Sequence, residues 1–558
     1  MNAILLMAIA LSAFIITFAS GFLILRAATF FSHAECWAFS GAAGCALLST
    51  IAFAAFLIHT SHPAFVLVSL APVMLLCLWV IRLRRFLIFP FSLPFWMPYV
   101  FVFWLGLIAF QCITPVYGGA FMYGDWWMHF DIAQFYLGLR PPDVHYFDVY
   151  GIPSRTPLFN LYSAYFLAIF GNQFAVYQVV AIIPGIALIG AAASLVSSRK
   201  AVIMLILFFL NPFMVTMMLY PWPKVLAAAY VLASLYFYIR WGSEPQPGPR
   251  LAYLSAWALG LGLAILAHSA AVLYALGIFL DAVFRRRSRA TPVSHLFLAA
   301  LVTACVIAPW LFWSMRAFGP LAWWYASPTG VSRPDVFSSL WWVERGQNLA
   351  GTLLPLRALE ALGGHMRNQW LWWNAWLRFY YAVLPGACTL TVKVLLCTQL
   401  RRHFDAVRTL PLRIFGIVIV IAFLGTILLE PGANSNGLAG ENMTVIVALA
   451  LIVAAHVVGA CSLREQRLIA VVAAMEFLVS RGIHTLWDAQ QSMPVGANLD
   501  LKEQNRLLFA RDVVGPGWIV FACILIAGYT FILWRFLRYD SLQTGDAKTA
   551  VEDAPPPV

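Results

Sequence analysis

Residues 251–289 read LAYLSAWALGLGLAILAHSAAVLYALGIFLDAVFRRRSR. Two apolar runs, 251–267 and 270–284, meet at a short turn containing His268 and end in a cluster of arginines. Neither run alternates apolar with polar residues, as a barrel strand between lipid and lumen would. Each approaches the length that carries a helix across hydrocarbon, about 17–25 residues. Lipid offers the backbone no hydrogen-bond partner, so such a run folds as a helix that satisfies its own N–H and C=O groups. The arginines then mark the cytoplasmic end, and the turn at His268 the opposite one.

The rest of the chain repeats this pattern. Hydrophobic residues make up 62% of it and charged residues 10%, with a mean hydropathy of +0.83, which is the composition of a polytopic membrane protein whose surroundings are the lipid bilayer. The net charge of +12 is not gathered on one soluble face, so it argues against a nucleic-acid partner. Short basic clusters at 82–85, 197–200, 284–289, 401–408, 464–467 and 535–538 separate the apolar runs and phase them. Placing all of them inside gives an all-α bundle of about 13–15 spans, near 3–25, 38–58, 64–82, 91–112, 174–196, 201–219, 225–239, 251–267, 270–284, 296–315, 377–399, 411–429, 443–460, 467–483 and 516–535. The first apolar run lacks a charged leader and a cleavage motif and reads as a retained span. The nine cysteines, such as Cys77, Cys305 and Cys523, show no CxxC spacing and read as small core residues, not as a disulfide frame or metal site.

This phasing divides the chain into N-terminal spans (1–112), a first external loop (113–173), a transmembrane core (174–315), an aromatic-rich external segment (316–376) and C-terminal spans (377–538) with an external loop at 484–515. The end, 539–558, is polar and proline-rich and reads as a disordered cytoplasmic tail. Tryptophans in the external segments suit the membrane interface. The acids there do not, because headgroup phosphates repel a carboxylate and desolvating it is costly.

The first external loop carries YGDWWMHFD at 123–131. If 124–138 is helical, Asp125 and His129 stand four residues apart on one face, while Asp131 is turned away, suited to hold a neighbouring Arg or Lys. Further on, DVHYFDVYGIPSRTPLFNL (143–161) leads through Arg155 into an apolar stretch, 157–170. With Pro157 in its first turn and Thr156 as cap, that stretch reads as a short helix lying in the interface.

SRTPLFNLYSAYFL (154–167), YPWPKVLAAAYVL (220–232) and LAHSAAVLYAL (266–276), together with an acid-bearing external loop, resemble the GT-C superfamily of integral-membrane glycosyltransferases. The chain departs from that pattern in having several spans before the loop and no DxD pair. The resemblance implies a polyprenyl-phosphate-linked sugar donor, a glycan, lipid or protein acceptor in the cell envelope, and a bacterial plasma-membrane location with an external, periplasmic active site. It also implies a catalytic acid in the loop, here Asp125 or Asp131.

The residues suggest the same chemistry independently. Sugar transfer from a lipid phosphate needs a base for the acceptor hydroxyl and cations for the leaving phosphate. Asp125, oriented by His129, fits the first role, with Asp131 as the other candidate acid. Lys224 in YPWPKVL fits the second or is a snorkelling anchor, and Arg155 is a phosphate clamp or a partner of Asp131. His268 is a turn residue or a site residue. Arg345 and Arg367 either cover the donor or are solvated loop residues. Asp125, His129 and Asp131 also form a chemically reasonable set for a divalent metal, at a spacing that is not diagnostic.

Two other functions share this architecture. A transporter or flippase would bury charges near the midplane, often at broken helices or in internal repeats, whereas these spans are nearly charge-free and show no repeat. A non-catalytic subunit of an envelope-polymer assembly would use the aromatic loops as contacts.

Overall fold

The computed structural model describes residues 2–28, 30–58, 94, 96–113, 125–141, 145–146, 150–221, 223–286, 292–320, 339–353, 390–429, 443–490 and 510–517, with scattered residues in 70–78 and 519–530. The expected span 64–82 and the tail 539–558 lie outside the described residues or nearly so, as does most of 516–535.

The first described helices are α1 (Ala3–Ala27), α2 (His33–Leu57), α3 (Met97–Ile113) and α4 (Asp125–Tyr136). Two two-residue strands, β1 (His145–Tyr146) and β2 (Tyr150–Gly151), pair antiparallel with His145 opposite Gly151. Then follow α5 (Leu158–Phe170), α6 (Phe174–Ala181), α7 (Ile183–Ala193), α8 (Ser198–Phe209), α9 (Pro212–Leu219), α10 (Lys224–Ser243), α11 (Pro247–Ala267), α12 (Ala271–Arg286) and α13 (Val293–Phe318). Beyond them lie α14 (Ser339–Leu353), α15 (Leu390–Gln399), α16 (Leu412–Leu429), α17 (Thr444–Ala460) and α18 (Leu463–Gln490). Among the described residues, seven helices are long and apolar enough to cross a membrane, or eight if the bent pair α8–α9 counts as one span. The chain is an all-α polytopic helical protein.

Burial sorts the helices. The unit formed by α6 and α7 is wholly enclosed, whereas only 17% of the apolar window of α13 is buried. Phe297, Phe312, Leu301 and Met315 on α13, with Val420 and Leu424 on α16, face outward. A soluble monomer rarely shows so continuous an apolar surface, and lipid accounts for it. Cys305, expected in a core, lies on this outer face.

Close helix approach depends on small residues. Gly21 on α1 and Gly44 on α2 sit where an added Cβ would overlap Ser40 O and Thr17 O respectively. The α1–α2 pair therefore packs backbone to backbone, the kind of contact that holds helices together where lipid gives no hydrophobic drive.

The 157–170 stretch is helical as expected, but it does not lie at a surface. From Leu158 to Ala168 α5 is buried, packed against α2, α4, α6 and α11. The sequence LFNLYSAYFLAIF has no polar face, and a helix apolar all round belongs inside. Thr156 makes no cap, since the position before the helix is Pro157 and no side chain caps it.

Polar groups collect at the two ends of the bundle. At one end, Glu35 at the start of α2 accepts from Tyr236 Oη at 2.8 Å and lies 3.8 Å from Arg240 Nε near the end of α10. On the same end Asp281 of α12 accepts from Tyr238 Oη at 2.7 Å and lies 3.2 Å from Arg413 Nε at the start of α16. The other end of α10 begins at Lys224, beside the turn after α11 and the start of α17. This up-and-down order matches the alternation that the basic clusters predict.

Gly44→Ala places a methyl against the Thr17 carbonyl, and overpacking of this kind costs about 1–3 kcal/mol. Among the described residues, Gly416, on α16, has no atom within 4 Å of an added Cβ. In matched detergent extracts, Gly44→Ala should lower the folded monodisperse fraction seen by size exclusion, and Gly416→Ala should not. Equal behaviour of the two variants would contradict the close α1–α2 contact.

Candidate functional site

The site is built where three helix termini meet. α10 starts at Lys224 because Pro221 and Pro223 lack the N–H that would extend a helix upstream, and Pro223 sits at the helix entrance with αR backbone angles. α11 ends at His268, whose extended backbone stops the helix. α17 begins at Thr444. Lys224, His268, Tyr274 and Thr444 line one cavity, whose floor is Ala227, Ala228 and Val231 of α10. Its volume is about 20 Å³, room for one water-sized group.

His268 is held in a defined tautomer. Its Nδ1 accepts the Ala270 N–H at 3.2 Å, so the neutral ring carries its proton on Nε2. Burial pushes the imidazole pKa well below the usual value, and the nearby charges of Lys224, Arg155 and His129 push it the same way. At neutral pH His268 is thus an uncharged hydrogen-bond donor. The same electrostatics show that four residues from four separate segments, His129, Arg155, Lys224 and His268, come together at this end.

His129 lies on α4, buried, with Nδ1 2.9 Å from Asn160 Oδ1 on α5. An amide oxygen only accepts, so His129 carries its proton on Nδ1 in this arrangement. Phe159 stands edge-on to its ring at 5.9 Å. Asn160 is fully buried, and among the described residues its Nδ2 has no hydrogen-bond partner. Asp125 is the first residue of α4, one turn before His129 and on its face by helical period.

Asp131 turns elsewhere. It lies 3.2 Å from Arg140 Nη2, and Arg140 Nε donates to Gln134 Oε1 at 2.9 Å, while Gln134 reaches Asn172 at 3.1 Å. The expectation that Asp131 holds a basic residue is met by Arg140. Burial raises its carboxyl to about 6, although Arg140 pulls in the opposite direction. His129 and Asp131 therefore have different partners, and among the described residues no group of three His, Cys, Asp or Glu side chains could hold a metal.

Arg345 is not the solvated loop residue that was one of its two expected places. It is buried, donates to Ile427 O at 3.3 Å and Leu428 O at 3.1 Å, and lies 3.4 Å from Glu344. Its position is that of a cap on the C-terminal carbonyls of α16. Arg367 lies outside the described residues. Sequence reading missed Asn160, Tyr274, Thr444 and Arg140. Asn160 alone carried a local signal, an amide inside an otherwise apolar helix.

No family model matches the chain, and no curated protein sequence does. Among solved structures it is similar to ArnT from Cupriavidus metallidurans bound to undecaprenyl phosphate, at 15% identity and a TM-score of 0.46 over 79% of this chain and 77% of that one. It is also similar to the archaeal oligosaccharyltransferase AglB from Archaeoglobus fulgidus in complex with an inhibitory peptide and a dolichol-phosphate, at 15% identity and a TM-score of 0.39 over 72% and 57%.

The raised pKa of Asp131 fixes a sign. Between pH 4 and 6 the folded chain holds a proton that the unfolded chain has released, so this contribution to stability is present below about pH 4 and is lost as pH rises through about 6. Two units correspond to roughly 3 kcal/mol. Thermal unfolding in detergent should show the native protein losing ground to Asp131→Asn as pH rises from 4.5 to 7. A native protein that gains relative to the variant would reverse the assignment.

Proposed function

We propose that this chain is a GT-C-type membrane glycosyltransferase, transferring a sugar from a polyprenyl-phosphate donor to a glycan, lipid or protein acceptor of the cell envelope. The observation that supports this most is the convergence of Lys224, Arg155, neutral His268 and His129 at one end of the bundle. Two cations, an Nε2–H donor and the N-terminus of α10 suit an anion at the level of lipid headgroups. A lipid phosphate carries its charge at that depth.

In the reaction the acceptor hydroxyl loses its proton to a base while the anomeric carbon–oxygen bond to phosphate breaks. The electron pair leaves with the polyprenyl phosphate, and nearby cations stabilise the growing charge. Asp125 at the start of α4 is the proposed base, with His129 of the same face orienting the hydroxyl. Arg155 and Lys224 are the proposed phosphate contacts, and His268 donates from Nε2. Asp131, paired with Arg140, is assigned a structural role. The positive-inside phasing favours the external, periplasmic side of a bacterial plasma membrane for this end.

The test is turnover by purified protein with a panel of radiolabelled polyprenyl-phosphate sugars and membrane extract. Lys224→Met keeps the apolar stem and removes the charge, so it should raise the donor KM while the protein stays folded. Asp125→Asn, at matched expression and saturating donor, should lower kcat by about 10²–10⁴-fold, the usual value of general-base assistance. Donor use unaffected by Lys224→Met would return that residue to the role of an anchor, and normal turnover in Asp125→Asn would remove it as the base.

A further inference from the structure

Lys224 is placed by a segment that cannot hold itself. The carbonyl of Leu219, the last residue of α9, would be matched in a continuing helix by the N–H of residue 223, and residue 223 is a proline. Pro221 likewise contributes a carbonyl and no N–H. Buried carbonyls need donors, and here they come from two other helices. Gln111 on α3 donates through Nε2 to Leu219 O at 3.3 Å and to Gln178 O at 3.1 Å. Tyr177 on α6 donates through Oη to Pro221 O at 2.7 Å.

Gln178 O needs a donor for a related reason. The residue four places on, Ile182, sends its N–H to Val180 O instead, at the break between α6 and α7. One amide group of Gln111 therefore ties two interrupted helices together. The ring of Tyr177 packs 5.4 Å from Phe130 on α4 and 6.4 Å from Phe159 on α5. Phe130 and Phe159 adjoin His129 and Asn160 in sequence, so the ring touches the helices that carry His129 and Asn160 while its hydroxyl holds the approach to Lys224.

We infer that Gln111 and Tyr177 are positioning residues that set Lys224 against the His129 side of the site by clamping the carbonyls of Leu219 and Pro221. Each acts on the backbone that leads to Lys224. The inference rests on the reading of Lys224 as a phosphate contact, and its test separates the two.

Binding of farnesyl phosphate and of farnesol to detergent-purified protein is the readout. The native protein should prefer the phosphate, and Lys224→Met should lose the preference. Tyr177→Phe keeps the ring and removes only the hydroxyl, so the fold should survive. It should weaken farnesyl phosphate binding about 3- to 10-fold, the range for one buried hydrogen bond. Added to Lys224→Met it should cost nothing further, since a clamp acts only through the residue it places. Gln111→Met should behave in the same way. Hydrogen exchange at the first-turn amides of α10 gives a second readout that needs no ligand, and Tyr177→Phe should speed it.

Unchanged binding in Tyr177→Phe, or a loss that adds in full to that of Lys224→Met, overturns the clamp. A native protein that binds farnesol as well as farnesyl phosphate overturns the phosphate reading instead. The clamp is then decided by exchange alone, and unchanged rates at 224–227 overturn it as well.

Discussion

Every helix interruption in this bundle has to find its own hydrogen-bond partners, because neither lipid nor a packed apolar core supplies them. That constraint shapes the site. An unbroken helix crosses and contributes only side chains, whereas the chain between α9 and α10 is interrupted by Pro221 and Pro223 and presents a helix start. The cost falls on Leu219 O and Pro221 O, which are satisfied by Gln111 and Tyr177. The result is a lysine at the first position of a helix, where side-chain charge and helix dipole have the same sign of effect on an anion.

The two ends of the bundle meet this constraint differently. At the Arg240 end, acids meet their partners across helices: Glu35 with Tyr236 and Arg240, Asp281 with Tyr238 and Arg413. Pairs of this kind link α2 to α10 and α12 to α16 at that end. At the Lys224 end, burial depresses the pKa of His268, and Lys224, Arg155 and His129 lie near enough to push it the same way. That end gathers cationic side chains beside a neutral imidazole, where the Arg240 end gathers acids with their partners.

The architecture was legible in the sequence because its causes are local. Apolar length decides a span, and arginine clusters decide phase, so α1, α10, α11 and α12 fall within a few residues of their expected bounds. The candidates Lys224, His268, Arg155 and His129 were also readable one by one, as polar residues at the edges of apolar runs. Their partners were not. His129 and Asn160 are 31 residues apart, Gln111 and Leu219 108 apart, and nothing in a helical period connects such positions. The same limit explains α5, where length alone suggested the interface, although the lack of any polar face in LFNLYSAYFLAIF already pointed inward. The solvated reading of Arg345 failed because an arginine in a loop-like stretch looks solvated until the carbonyls of α16 are brought beside it.

One feature favours a conduit over an enzyme: α8 and α9 meet at a bend of 75°, and broken helices line the paths of many transporters. The chemistry of the break differs from theirs. Asn211 Oδ1 accepts the Met214 N–H at 3.0 Å, an N-cap that completes the turn with its own side chain. Pro212 follows at the first helical position, where a missing N–H costs nothing. Around the bend the neighbours are aromatic, with Phe209 in contact with Phe103, Phe110 and Phe477. The bend from Phe209 through Leu219 contains no charged residue. Its effect is to turn the chain so that α9 delivers Tyr220 and Pro221 to the start of α10. The bend therefore belongs with the prolines that follow it, as part of what places Lys224 beside His268.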